Sequence, residues 1–374
     1  MKALKTVGII LYGRSCSIAR KGEILMIKHI TVHITSTCNL NCEFCHVAAE
    51  FNNNDEEPLD VQMLNNLFLP SVESISIAGG EPFFVKKKLY QFLNYIPETI
   101  KDIAITTNGL LISEEDIEIL KMKKIRLQMS LDGMDIYHEK NRGENTYDKS
   151  IDSLKRAVNA GVRVDVLTTV SNDNIEYISE FVKSIDNLGI ENLTLLHFTP
   201  KGRGSFRPEL EVPYDKWIKL IARLKRELNG VNTRIWIQPR YLTRNTIEML
   251  DKSRAVHLCN CFTFKYAYVN VCDGSVYPCG LAYNTPLNIG NIKRNSLQNL
   301  VDEAIKNTNV PKECLCCNAV DICKGGAKCY GLLESGRVDK KDSHCKGGRV
   351  IPICPFPAMY IAGPKMKTNK PTIV

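Results

Sequence analysis

Cys38-Asn39-Leu40-Asn41-Cys42-Glu43-Phe44-Cys45 and Ala78-Gly79-Gly80-Glu81-Pro82 decide how this chain folds, because each closes a short β-rich run. Those runs are Ile30–Thr35 and Ser74–Ala78, and four more follow at Ile103–Thr107, Ile125–Ser130, Val162–Val170 and Asn192–Phe198. Helical stretches lie between and after them. Pro58–Leu69 carries proline in its first turn, and Ser113–Lys123 opens on the near capping box Ser113-Glu114-Glu115-Asp116. Thr146–Ala160 and Asn174–Leu188 each end at a glycine, and Tyr214–Leu228 follows the sixth run. Strands alternating with helices imply a parallel sheet with right-handed crossovers. A doubly wound sheet, a full barrel and a partial barrel all satisfy that pattern. Six runs fall short of the eight of a full barrel and favour the partial barrel or an open sheet.

The chain has 374 residues, 44% of them apolar and 24% charged, which suits one large domain and a smaller one. After about residue 250 helical periodicity fades while Cys, Gly and Pro rise; only Asn295–Lys306 reads as a short helix. The expected organisation is an N-terminal segment 1–24, a barrel 25–245, a loop-rich cysteine domain 250–364 and a tail 365–374, with the boundary inside Arg240–Ala255. The net charge of +8 is spread along the sequence. It fits a solvated lysine surface or a pull on anionic substrates, and no basic patch interleaved with aromatics points to nucleic acid. The longest apolar run near the start, Val7–Tyr12, is too short for a secretory core or a membrane span, so the expected location is cytoplasmic, with no membrane partner.

Cysteine is unevenly distributed: of 15, three form the first group, eleven fall between Cys259 and Cys354, and Cys16 stands apart as a buried apolar residue. In a reducing compartment this density argues for metal or catalysis over disulfides. Thiolates at Cys38, Cys42 and Cys45 can converge on one soft metal centre. Three ligands leave one iron of a cubane [4Fe–4S] cluster open. Zinc held by the three cysteines and His46 is the alternative for that stretch alone. Two glycines at 79 and 80 allow close backbone approach, and Glu81 supplies an anionic acceptor.

With Gly79–Pro82 ending strand two, behind a Cx3Cx2C after strand one, the chain resembles the radical S-adenosylmethionine (SAM) superfamily. The resemblance implies a partial (β/α)6 TIM-like barrel. It implies a [4Fe–4S] cluster on Cys38, Cys42 and Cys45 whose open iron is chelated by SAM, and reductive cleavage of SAM to methionine and a 5′-deoxyadenosyl radical that abstracts hydrogen from substrate. It further implies SAM contacts from Gly79, Gly80, Glu81 and Pro82, from Asn108 after strand three, from Ser130 and Asp132 after strand four, from Arg142, and from Thr169 at the end of strand five. Thr107 and Val170 lie beside these. A reducing partner such as ferredoxin or flavodoxin is implied as well.

Cys261, Gly274, Cys279 and the Cx2Cx5C set Cys314, Cys317, Cys323 resemble the SPASM extension, a small loop-rich cysteine-rich domain that commonly holds two auxiliary [4Fe–4S] clusters. The family's further cysteine falls on Ala327, and Cys329 comes two positions late. One or two auxiliary clusters are therefore expected. The first is completed either locally, by Cys259, Cys261, Cys272 and Cys279, or with Cys329. The second takes Cys314, Cys317, Cys323 and a distant fourth ligand, with Cys354 preferred over Cys345. Structural zinc is the alternative that the Cx2C pairs alone would favour.

Substrate is less legible. SPASM enzymes often modify peptides or proteins, so the leading expectation is a peptide or protein substrate that is crosslinked through thioether or carbon–carbon bonds, epimerised or oxidised. Against it, with only the short stretch before the first strand, no N-terminal peptide-recognition domain is expected. The alternative is a cofactor-biosynthetic enzyme acting on a small anionic molecule such as a tetrapyrrole. It draws on Lys201-Gly202-Arg203-Gly204, whose basic backbone is suited to carboxylates. His197 ends strand six and is either a cavity residue or a core histidine; Trp217 and Trp236 read as core. No general base can be named.

Overall fold

The computed structural model describes residues 27–53, 58–238, 240–242, 261, 264, 266–347, 351–352 and 359–364. Cys16, Cys259, Cys354, the segment 1–24, most of the expected domain boundary and the tail 365–374 lie outside the described residues.

The six expected strands are present as β1 (His29–His33), β2 (Ser74–Ala78), β3 (Asp102–Thr107), β4 (Arg126–Ser130), β5 (Val164–Val170) and β6 (Asn192–His197). A seventh, β7 (Arg234–Ile237), continues the parallel series beyond β6. On the other side β8 (Tyr266–Asn270) pairs parallel with β1, so a strand of the cysteine-rich segment extends the barrel sheet. Three antiparallel strands finish the two ends: β9 (Ser275–Tyr277), β10 (Gly290–Asn291) and β11 (Met359–Ala362). The resulting sheet has 11 strands in the order β10-β9-β8-β1-β2-β3-β4-β5-β6-β7-β11. This is an α/β fold: a partial barrel followed by a loop-rich cysteine-rich domain.

The strands alternate in an unusual sense. Ile30, Val32, Ile75, Ile77, Ile105, Leu127, Val166, Leu193 and Leu195 are buried in the main apolar core. The other parity is largely polar: His29 and Thr31, Ser74 and Ser76, Asp102 and Thr106, Arg126 and Gln128, Asp165 and Thr169, Asn192 and Thr194. At the N-terminal ends these residues plug the barrel. Arg126 pairs with both Asp165 and Asp102, Asn192 Nδ2 donates to Asp165 at 2.6 Å, and His29 Nδ1 lies 2.8 Å from Ser74 Oγ. Toward the C-terminal ends the same parity opens into a cavity.

The helices are α1 (Lys86–Tyr95), α2 (Glu114–Met122), α3 (Asp135–Arg142), α4 (Tyr147–Asn159), α5 (Ile178–Ile185), α6 (Tyr214–Glu227), α7 (Leu297–Asn307) and α8 (Lys328–Ser335). The Ser113–Asp116 capping box forms in both directions. Three local expectations change. Pro58–Leu69 yields only a turn of helix, Val61–Leu64; beyond it Pro70 has no N–H to offer the Asn66 carbonyl, which accepts from Leu297 N at 2.9 Å. The Asn174–Leu188 stretch begins and ends in 3₁₀ turns around α5, with the Asn174 side chain spent on Asp132 O and Thr169 O. Helices α1 and α3 were not anticipated; neither has a side-chain cap, and α3 buries only His138 and Asn141, so no apolar stripe marks it.

Candidate active site

A cavity of about 320 Å³ opens at the C-terminal ends of the parallel strands. Its wall is built first by backbone. Gly80 N donates to Thr35 O at 2.7 Å and Glu81 N to Thr37 O at 2.9 Å, lacing the end of β2 to the chain leaving β1. A Cβ at Gly80 would overlap the Thr37 carbonyl oxygen, so only glycine allows this approach. The loop that follows carries Cys38, Cys42 and Cys45, all three lining the cavity.

Burial pushes the Cys38 thiol up to about 12, with Glu81, Cys42 and Cys45 adding to the effect. Burial raises Cys42 too, opposed by Arg142 and Arg203. Two buried thiols beside a half-buried third, crowded enough that their anions would repel, are poorly placed as free thiolates and well placed as ligands of a cationic centre, so the donor set fits an iron–sulfur cluster. His46 does not complete a zinc site in this geometry: its Nε2 lies toward Gly280, where an added Cβ would sit 3.7 Å away. Among the described residues no three His, Cys, Asp or Glu side chains are spaced to hold a single metal ion.

The other expected SAM residues divide. Gly79, Gly80, Glu81, Asn108, Arg142 and Thr169 line the cavity. Glu81 turns its carboxylate into the protein, accepting from Phe83 N at 3.1 Å, Thr107 Oγ1 at 2.8 Å and Asn108 N at 2.8 Å. Burial lifts its pKa to about 7 against those donors. Its acceptor role thus ties β2 to β3. Pro82, Ser130 and Asp132 are not among the lining residues; Pro82 opens a 3₁₀ turn, and Asp132 is fully buried. Asp132 instead pairs with Arg142 Nε and accepts from Thr169 N at 2.9 Å, so it acts through two residues that do face the cavity. Burial would lower the Arg142 pKa, but Asp132, Cys42 and Cys45 hold the guanidinium charged.

The two candidate substrate features have protein partners of their own. The basic Lys201-Gly202-Arg203 segment is a clamp on the cysteine loop. Lys201 Nζ donates to His46 O at 3.2 Å, Arg203 N to Cys45 O at 3.0 Å, Arg203 Nε to Cys42 O at 2.8 Å and Nη1 to Ala49 O at 2.6 Å. Gly202 has φ of 60°, and a Cβ there would overlap the carbonyl oxygens of Cys45 and His46. His197 falls on the apolar parity of β6. Its Nε2 donates to Val212 O at 2.9 Å and its ring packs edge-on to Trp217, so it is a core histidine bordering the cavity.

Comparison with known proteins agrees with this geometry. Residues 32–185 match the family model for the radical SAM superfamily, and residues 235–324 match the SPASM model, an iron–sulfur cluster-binding domain.

The chain belongs to the radical SAM superfamily and carries a SPASM domain.

It is an iron–sulfur enzyme of that type. Among curated relatives it is 26% identical over 227 residues to a probable GTP 3′,8-cyclase of Sulfurisphaera tokodaii, covering 59% of this chain and 71% of the relative. It is 22% identical over 300 residues to the sporulation killing factor maturation protein SkfB of Bacillus subtilis, covering 78% and 69%. In fold it matches the crystal structure of Streptococcus suis SuiB bound to S-adenosylmethionine, with TM-score 0.64, 18% identity and coverage of 86% and 78%; SuiB has also been solved bound to its precursor peptide SuiA. No helix among the described residues is long and apolar enough to cross a membrane.

Within the SPASM segment the cysteines gather in two sets. Cys261 packs with Ala327, Cys329 and Tyr330, and burial together with Cys261 raises the Cys279 thiol to about 12. Cys329 reaches this set from the first turn of α8, whereas Ala327 precedes that helix. Cys272 has other partners: its Sγ lies 3.5 Å from Ile34 O and 3.6 Å from Lys88 Nζ. In the second set burial lifts Cys314 to about 11, with Cys323 and Cys345 adding to the shift, and Cys323 is raised by burial, Cys345 and Cys317. Cys345 therefore stands with Cys314, Cys317 and Cys323.

Proposed function

We propose that this chain binds SAM at a [4Fe–4S] cluster on Cys38, Cys42 and Cys45 and modifies a peptide or protein substrate. The observation that carries the reading is the extent of one cavity. It runs from those three thiols, past the strand ends, to Gly280 and Leu281 beside Cys279. A substrate in that space lies between the SAM site and the auxiliary cysteines. When bound, the cluster supplies the electron that cleaves SAM, and the resulting radical removes a hydrogen atom from substrate.

The chain's own residues bind and orient. The backbone at Gly79 and Gly80 offers an edge held in place by Thr35 and Thr37. Arg142, braced by Asp132, presents a cation to the SAM carboxylate. Thr169, held by the same carboxylate, borders the adenine side. Cys261, Cys279 and Cys329, with a fourth ligand, hold one auxiliary cluster, and Cys314, Cys317, Cys323 and Cys345 hold another. A peptide substrate is supported by the likeness to SkfB and SuiB.

Anaerobic reconstitution with iron and sulfide counting tests this, paired with 5′-deoxyadenosine release after dithionite reduction in wild type and Cys42→Ala. About twelve irons per chain, with SAM cleavage lost in the variant, is the expected result. Zinc in place of iron with no cleavage would refute it. Candidate precursor peptides encoded nearby are then assayed for a mass change.

A further inference from the structure

Lys201 is buried at 6% exposure, with no carboxylate among the described residues beside it to account for its charge. Three contacts fix its position. Its Nζ donates to His46 O at 3.2 Å, next to Cys45. Thr199, two residues earlier, hydrogen-bonds Tyr330 at 2.7 Å, next to Cys329. Its ammonium lies 5.7 Å from the Tyr283 ring, and Tyr283 N donates to Gly280 O at 3.1 Å, next to Cys279. The side chain thus stands where the cysteine loop of the barrel meets Cys279 and Cys329 of the SPASM segment. Burial pulls its pKa down to about 8, while Cys279, Cys329 and Cys45, in that order, pull it up.

We propose that Lys201 is an electrostatic bridge between the two cluster sites, its buried ammonium stabilising the added electron on the auxiliary cluster held by Cys261, Cys279 and Cys329 and so keeping that cluster reducible. This rests on the assignment of those cysteines to an auxiliary cluster. A fixed positive charge in a low-dielectric site favours the more negative redox state of a neighbour, and reduction potentials of iron–sulfur clusters follow local charge and solvent exposure. Arginine at this position would keep the charge; glutamine would keep a donor to His46 O and remove the charge. Lys201 is a positioning residue, acting through the clusters and the loop that it holds.

The test is an EPR-monitored redox titration of reconstituted full-length wild type, Lys201→Gln and Lys201→Arg, each with its iron content. The expected result is a shift of the auxiliary midpoint to more negative potential in Lys201→Gln and a near-wild-type midpoint in Lys201→Arg. Glutamine variants that fail to load iron while Lys201→Arg loads fully also support the charge role. Equal midpoints in wild type and Lys201→Gln at equal iron content overturn the proposal alone, as does failure of both variants to load. A wild type with only about four irons removes the auxiliary clusters and overturns this proposal while leaving the SAM cluster in place.

Discussion

Arg240 and Asp342 form an ion pair 3.0 Å long in which neither side chain is exposed. Arg240 follows β7 of the barrel, and Asp342 also accepts from Ala327 N at 3.1 Å at the approach to α8. The guanidinium stacks 3.9 Å from the centre of the Tyr330 ring. Asp342→Asn removes one charge from a pair shut away from water. It is expected to destabilise the protein by about 3–5 kcal/mol, read as a lower denaturant midpoint. A loss below about 1 kcal/mol would show that the pair is held open to solvent.

Asp132 orients Arg142 without facing the cavity. Asp132→Asn keeps the shape and removes the charge that aims the guanidinium. SAM affinity is expected to fall about tenfold, roughly 1.4 kcal/mol, by anaerobic equilibrium dialysis on the iron-loaded protein. Unchanged affinity would separate Arg142 from SAM.

Substitution of single cysteines separates the ligand sets. Cys329→Ala and Cys345→Ala are each expected to lose about four irons per chain. Cys272→Ala, whose thiol lies against Ile34 O and Lys88, is expected to keep its iron. A Cys272→Ala protein short of one cluster would restore the local ligand set.

His29, in the polar plug of the barrel, is lowered from 6.5 to about 4, chiefly by burial. Its folded pKa lies below its unfolded value, so the unfolded chain binds the extra proton. Stability is therefore full above pH 6.5 and is lost as pH falls toward 4, at up to roughly 1.4 kcal/mol per pH unit. Chemical denaturation between pH 5 and 7 is expected to show a shallower slope for His29→Gln than for wild type. Parallel slopes would place the titration elsewhere.

The parallel strands could be read directly because their apolar runs are bounded by turn residues, and five of the six ended within a residue of the expected positions; only β1 stops two residues short of Thr35. Strand β7 escaped because Arg234–Ile237 is four residues long and carries no alternation that stands out from its surroundings. Strand β8 escaped because the cysteine-rich segment reads as loop, and its pairing with β1 spans more than two hundred residues, a distance that no local pattern reports. The first cysteine group was legible because spacing along seven residues is itself the signal. The destination of Cys329 was not: it depends on where α8 begins. Lys201 and Arg203 misled for a related reason. Their charge suggested a ligand, but their partners are carbonyl oxygens of a loop more than 150 residues away.

The parallel ladder between β1 and β8 has a consequence for electron transfer. The loop with Cys38, Cys42 and Cys45 leaves the end of β1, and Cys279 follows β8 through the β9 hairpin. On the proposed ligand assignment, both cluster sites are carried by neighbouring strands of one sheet, with His29 opposite Tyr266 through His33 opposite Asn270. On that assignment the separation of the two sites is set by sheet register, and so it is fixed when the protein folds.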